Sequence, residues 1–388
     1  MLYLYGILFI LTIYVFFLIF LRIRHPYWSK QPVYHRHKLR YMFYKPGILN
    51  REPVEKDRYV DLNSIQFHTF EKMETVGRLS NFLKSHYKNS TDLLFVPSSG
   101  DISDYHSAVK HNAHISFLRY KQISYGPTSA MVETNEIDIG TMTTRPVNIS
   151  ISKKNVSVQL VDLLCVHPLY RTSYQVPKII QTHRYLLEKK EGTGQIYLFK
   201  NEDNHSFGII PFCQCKSHVF DMFTWNPPYK LGQEKMLEIS DLSSDILIDT
   251  VMSSKFQHKI YFDPFTLMKL IKSGNIHVYC LKVMDKVLGM YIFKRTCSCY
   301  KGDDIFECIS TIKYCATELF IRGFHTASYM CYKKNRYRYL VIDGVSDNSI
   351  VVKRILRSKM CMHTYVVSYY FYNYITASVL PHDLLILI

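Results

Sequence analysis

The chain has 388 residues, 47% of them apolar, and a formal net charge of +16. That apolar content excludes a disordered polymer, and the length supports roughly two domains at ~150 residues each. The charge points to an anionic partner, but dispersed bases without a zinc-finger or ribonucleoprotein signature leave nucleic acid unexpected; a nucleotide-like cosubstrate or a membrane face remains.

Residues Leu2 to Leu21 carry no charge. At ~1.5 Å rise they just cross a ~30 Å hydrocarbon layer, so residues 1–22 read as a transmembrane anchor. A signal peptide is not supported, since no basic start or small-residue cleavage site precedes Arg22. Arg22, Arg24, Lys30, Arg36, Lys38 and Arg40 follow the span. The positive-inside rule then predicts a single-pass membrane protein with residues 22–388 in the cytosol. Ten scattered cysteines fit a reducing compartment. Cys213/Cys215 and Cys297/Cys299 lack the two-residue separation and nearby His of a zinc half-site, so no metal is expected.

Residues 23–65 form a basic, aromatic juxtamembrane arm that contains Tyr27-Trp28-Ser29-Lys30-Gln31-Pro32-Val33. Next, Met73, Val76, Leu79, Phe82, Leu83 and Tyr87 recur at helical spacing. Ile137–Ile151 and Val156–Val166 read as strands joined near Lys153-Lys154, and a helix is predicted from about Tyr174 to Lys190, with Pro177 in its first turn. Cys165 and His167 share a strand face without thiol–imidazole geometry, and Cys165 is read as packing. Further on, Val278–Met284 and Val287–Phe293 predict a hairpin about Asp285-Lys286. Ile305, Ile309, Ile312, Ala316 and Leu319 predict a helix from Asp303/Asp304 to Gly323, with Phe324–Met330 as the next strand. The tail holds Ser368-Tyr-Tyr-Phe-Tyr-Asn373-Tyr374 and then Leu384-Leu-Ile-Leu-Ile388. An apolar end of this kind predicts burial, which lifts an α-carboxyl from ~3.5 toward the range of a general base.

Three of these segments, in this order, resemble glycylpeptide N-myristoyltransferases. Residues 27–33 are similar to that family's aromatic-Trp-x-x-Gln-Pro-Val. The stretch from Gly140 through Pro146 and Asn148 to Leu164-Cys165-Val166-His167, then Arg171 and Pro177, keeps its spacing without a gap. The tail is similar to Tyr-Tyr-Leu-Tyr-Asn-Trp followed by a short aliphatic terminus. The resemblance runs from about residue 25 to residue 388. It implies an α/β (α+β) fold of tandem acetyltransferase-like (GNAT, acyl-CoA N-acyltransferase) units. Residues 66–215 would form the acyl-CoA-binding half and residues 216–388 the peptide-binding half.

The implied activity is transfer of a long-chain acyl group to the N-terminal glycine of a protein. Myristoyl-CoA would be the co-substrate, with no cofactor bound permanently. By the resemblance, the Ile388 carboxylate is the base and the backbone N–H groups of Leu163 and Leu164 are the oxyanion donors. Tyr27, Trp28, Arg171, Thr172 and Ser173 would hold the cofactor at the N-terminus of the 174–190 helix, and Tyr197, Asn373 and Tyr374 the peptide. There are departures. The family's Arg-Ser-Lys-Arg becomes Arg171-Thr172-Ser173-Tyr174, losing two bases whose phosphate contacts are each worth about 1.5–3 kcal/mol. Tyr-Thr-Ala-Gly becomes Tyr197-Leu198-Phe199-Lys200, and Gly-Asp-Gly becomes His363-Thr364-Tyr365. They motivate an alternative, a catalytically inactive membrane-anchored binding or structural protein; a second is a short-chain acetyltransferase of the same fold. The anchor and the divergence suggest a virus-encoded member.

Overall fold

The computed structural model describes residues 2–38, 41, 43–87, 90, 92–106, 109, 111–125, 132–151, 154–171, 174–202, 208–240 and 244–388. Helix α1 (Leu2–Arg24) is long and apolar enough to cross a membrane, and the rest of the fold does not enclose it. One stripe of it, Tyr14, Leu18 and Leu21, is only half-exposed. There Tyr14 Oη donates to the His37 carbonyl at 2.8 Å, and the Phe17 and His37 rings meet edge-on.

In the first half the elements are β1 (Gly47–Ile48), β2 (Ile65–Thr69), α2 (Met73–His86), β3 (Leu93–Phe95) and α3 (Ser99–His106). Then come β4 (His114–Tyr125), β5 (Val132–Ile151), β6 (Lys154–Val166), α4 (Gln175–Glu191), β7 (Tyr197–Asn201) and β8 (Cys213–Asp221). The second half has β9 (Lys235–Glu238), α5 (Ser244–Met252), β10 (His258–Tyr261), α6 (Pro264–Lys272), β11 (Ile276–Val283), β12 (Lys286–Tyr300) and β13 (Asp303–Lys313). It closes with α7 (Thr317–Asn335), β14 (Tyr339–Asp343), α8 (Asn348–Ile355), β15 (His363–Tyr372), β16 (Tyr374–Ile375) and β17 (Leu384–Leu387).

Among the described residues, fifteen strands join in one sheet, ordered β17-β10-β5-β6-β7-β15-β8-β14-β13-β12-β11-β9; β2 enters through β4 and β3 pairs with β12. The mixed α/β class is as expected. In each half an antiparallel hairpin, β5/β6 or β12/β13, leads through one helix to a strand parallel to the second hairpin strand: β6-α4-β7 and β13-α7-β14. A crossover helix is what a parallel pair requires.

The 73–87 helix, the 137–166 strands, the helix after Tyr174 and the 278–293 hairpin all form as expected. The turn at Lys153 lies outside the described residues. The 303–330 region is a correction: residues 303–313 are a strand, and the helix covers Thr317–Asn335, including Phe324–Met330. Residues 305–312 are buried without a break because β13 lies between β12 and β14. A strand buried on both faces shows no alternation, so its isoleucines mimic a helical stripe. Gly323 is no stop signal. A Cβ there would stand 2.1 Å from Tyr291 Oη and 2.9 Å from Leu281 Cδ2, so glycine lets α7 press onto the sheet.

Candidate active site

The middle of β6 departs from regular pairing. Thr141 faces Cys165 but Thr143 faces Asp162, so one extra residue is inserted at Leu163–Leu164, and Leu163 has φ 50°. A bulge of this kind turns main-chain groups out of the ladder. The N–H of Leu163 donates to Asp162 Oδ1 at 2.9 Å, and Asp162 Oδ2 lies 3.5 Å from Arg145 Nη2. Arg145 is 1% exposed, with its guanidinium 4.5 Å from the Phe262 ring centre and 5.1 Å from that of Tyr105. Burial works against ionisation of Asp162. The charges of Arg145, Lys294 and His106 and the Leu163 N–H outweigh it and hold the carboxyl below its ordinary range. The Asp162 side chain remains 40% exposed, so it borders accessible space.

The chain's last strand packs into the same region. β17 pairs in parallel with β10, Leu384 to Leu387 are buried, and Ile388 is 8% exposed. Lys294 Nζ, from β12, donates to a terminal oxygen of Ile388 at 3.3 Å. Burial lowers the pKa of Lys294, while Glu307 and Asp162 oppose that shift. Lys294 therefore ties the end of the chain electrostatically to the residue that precedes the bulge. Beyond it, Lys200 Nζ lies 3.2 Å from Glu307 and 3.9 Å from Asp343, whose carboxylate accepts from Ser217 Oγ. Burial disfavours the Glu307 anion, but Lys200 more than compensates and holds its pKa at about 2; burial and the Glu307 charge push that of Asp343 up. The Lys200 side chain is 30% exposed and caps this acid pair. Nothing in the sequence patterns marks Lys294, Glu307 or Asp343.

Of the residues expected to hold the cofactor, Tyr27 is buried, with its ring 5.0 Å from Tyr59 and 5.1 Å from Trp28, which is half-buried. Arg171 Nε donates to the Val166 carbonyl at 2.9 Å and Nη2 to the His86 carbonyl at 3.1 Å, closing the loop between β6 and α4. Thr172 and Ser173 lie outside the described residues. Tyr174, the N-cap of α4, makes no side-chain cap and is exposed, so the first N–H groups of the helix have no cap from that residue. Gly140 lets α4 sit close to β5, since a Cβ there would be 2.6 Å from Ile179 Cδ1. Cys165 is buried, and its thiol is pushed up to about 12, which disfavours a thiolate.

The two tyrosine-rich and Gln-Pro-Val segments meet each other. Tyr372 Oη donates to Gln31 Oε1 and accepts from Arg184 Nη1 at 2.6 Å; Arg184 Nε pairs with Glu188 at 2.9 Å. The Asn373 N–H donates to the Pro32 carbonyl at 2.7 Å. Asn373 is buried, and its side-chain amide is engaged at both ends, by the N–H and carbonyl of Asn50 and the carbonyl of Gln195. Tyr197 is buried with its ring against Tyr372, and Tyr374 is buried in the β1/β16 pair. Lys294 thus contacts Ile388 and acts by its charge on Asp162, while Tyr197, Asn373 and Tyr374 are buried in the core.

The whole chain is similar in fold to N-myristoyltransferase of Saccharomyces cerevisiae, solved with bound myristoyl-CoA. The TM-score is 0.71 at 11% identity, covering 92% of this chain and 94% of that one. A second structure of that enzyme with myristoyl-CoA gives 0.69 at 12% identity over 92% and 89%. A third, with myristoyl-CoA and inhibitors, gives 0.69 at 12% over 92% and 91%. No protein-family model and no curated protein sequence matches the chain.

Proposed function

We propose that the chain is an acyltransferase that moves a long-chain acyl group from acyl-CoA, with myristoyl-CoA as the co-substrate, to the amine of an N-terminal glycine. The observations that support this reading are the burial of Ile388, which accepts from Lys294, and the bulge in β6 at Leu163–Leu164. Acyl transfer to an amine needs a proton acceptor and oxyanion donors but no side-chain nucleophile. In the reaction the amine nitrogen attacks the thioester carbon and a C–N bond forms. The C–S bond then breaks, and coenzyme A leaves as the thiolate. The proton released by the amine passes to the Ile388 carboxylate and on to solvent or the thiolate. Leu164 is the readier oxyanion donor, because the Leu163 N–H already serves Asp162.

Residues 66–215 take the coenzyme and residues 216–388 the acceptor peptide. The N-terminus of α4, with Arg171, Thr172 and Ser173 before it, attracts the phosphates through its free N–H groups and dipole. Tyr27 and Trp28 line the coenzyme side, and Tyr197, Asn373 and Tyr374 shape the peptide side from behind. Helix α1 holds the domain at a membrane, with residues 22–388 on the cytosolic face. Such an anchor suits a lipidating enzyme, since one myristoyl chain binds a bilayer only marginally.

A second reading, an inactive acyl-CoA-binding relative, is favoured by Lys200, whose charged head sits on Glu307 where the similar motif ends in glycine. Thermal shift of the full chain with myristoyl-CoA or acetyl-CoA, followed by acylation of a Gly-initiated peptide, separates the readings. We expect a rise of several degrees with myristoyl-CoA and acylated peptide. Stabilisation without product supports the inactive relative, and a preference for acetyl-CoA supports a short-chain enzyme. No stabilisation by either ligand overturns the proposal.

A further inference from the structure

We infer, resting on the reading of Ile388 as the proton acceptor, that Lys294 is the counter-ion of the chain end: a positioning residue that fixes the buried Ile388 carboxylate and keeps it ionised, in the form that takes a proton.

A chain end that is only 8% exposed cannot keep its charge by hydration. Burial lifts an α-carboxyl from ~3.5 by as much as ~3–5, enough to leave it protonated near neutral pH. A protonated acid accepts nothing from an amine. A cation within a few ångströms opposes that rise and restores the anion. Lys294 Nζ, 3.3 Å from a terminal oxygen of Ile388, is such a cation. The service is mutual, because burial pulls the Lys294 pKa down and an anionic partner keeps its ammonium charged.

The surrounding groups leave Lys294 to this task. Arg145 of β5 meets Asp162 of β6 at 3.5 Å. Lys200 of β7 meets Glu307 of β13 at 3.2 Å, and Glu202 and Asp343 at 3.9 Å. Each of these cations has its own acid. Lys294 stands opposite Glu307 in the β12/β13 register, yet among the described residues no side-chain carboxylate forms an ion pair with it. Its ammonium reaches instead to Ile388 of β17 and over the Tyr105 ring of α3, 5.2 Å from the ring centre. His106 beside that ring titrates at about 3, and Asp343 of β14 is pushed up toward its neutral form, so neither competes as an ion at neutral pH.

The test uses the full chain in detergent micelles, with isoleucine carrying carbon-13 at its carboxyl carbon; the terminal resonance is identified by its loss in Ile388→Leu. In the parent it should hold its ionised position from about pH 9 to about pH 6.5. Lys294→Gln, which keeps a donor and drops the charge, should raise the titration midpoint into that range, by about one pH unit or more, and Lys294→Arg should restore the parent's behaviour. With myristoyl-CoA and a Gly-initiated peptide, the acid limb of kcat should rise by the same amount in Lys294→Gln. At pH 7 kcat then falls about tenfold with KM nearly unchanged, and it recovers toward pH 9. A role confined to packing lowers kcat equally at every pH. An unshifted terminal resonance in folded Lys294→Gln overturns the counter-ion. A parent carboxyl already protonated at pH 7 overturns it as well, whether or not the variants fold. A shifted resonance in Lys294→Gln, with no product from the parent at any pH, upholds the ion pair and overturns the reading of Ile388 as the base.

Discussion

Asn373 binds two distant stretches of chain through one side chain. It adopts φ 64°, takes the Asn50 N–H, and donates to the carbonyls of Asn50 and Gln195. Asn373→Ala removes three hydrogen bonds, leaves part-buried main-chain groups without them and puts alanine, which tolerates the left-handed region less well than asparagine, at that φ, at a cost of about 3–5 kcal/mol. Urea denaturation should show that loss, with acyl transfer per folded molecule retained. Lost turnover at unchanged stability would instead put Asn373 on the peptide. The tail motif picks out this residue, yet spacing cannot say whether its amide faces a ligand or the main chain; burial decides. Lys294 was illegible for the opposite reason. It lies in an ordinary strand pattern, and it matters only because β17 returns to place Ile388 against it.

At the scale of elements, α4 was read correctly and the 303–330 region was not. α4 shows polar and apolar sides and stops at Gly192, whose φ of 97° suits glycine. β13 and α7 were misplaced because continuous burial erases the period of the strand and Gly323 imitates a terminus. The glycine gives a direct check. Alanine is ordinarily favoured over glycine within a helix by about 1 kcal/mol. Here its methyl would collide with Tyr291, which also donates to the Phe320 carbonyl at 2.9 Å. Gly323→Ala should therefore destabilise by about 1–3 kcal/mol and lower Tm. An unchanged or raised Tm would show that α7 can lift from the sheet freely.

For the whole molecule, acidity is the sharpest stress. Burial is the main reason that five enclosed histidines titrate low: His106 and His183 at about 3, His35, His114 and His277 at about 4. Their unfolded value is about 6.5, so below it the unfolded chain binds more protons. The stability they permit is complete above pH ~6.5 and falls as pH drops toward ~4, by ~1.4 kcal/mol per pH unit for each. Against a typical reserve of 5–15 kcal/mol, cooperative unfolding should set in between about pH 6 and pH 4. Circular dichroism of the full chain checks this, and a native spectrum at about pH 3.5 would contradict it. The same scale shows how far sequence order reached: in the second half only the hairpin at 278–293 was read correctly, its helix and strand being placed on β13 and α7, and the joining into one sheet needed β15 between β7 and β8, a pairing no local pattern encodes.

The contact of Gln31 with Tyr372 spans 341 positions. Loop closure costs ~0.6 kcal/mol for each doubling of length, so shutting this loop takes about 2 kcal/mol more than shutting one of ~40 residues. Contacts so remote are late rewards for a folding chain. Tyr27 can reach Tyr59 early, but the bonds of Gln31 and Pro32 to Tyr372 and Asn373 must wait until almost the entire polypeptide has been synthesised and its final tyrosines have found their strand.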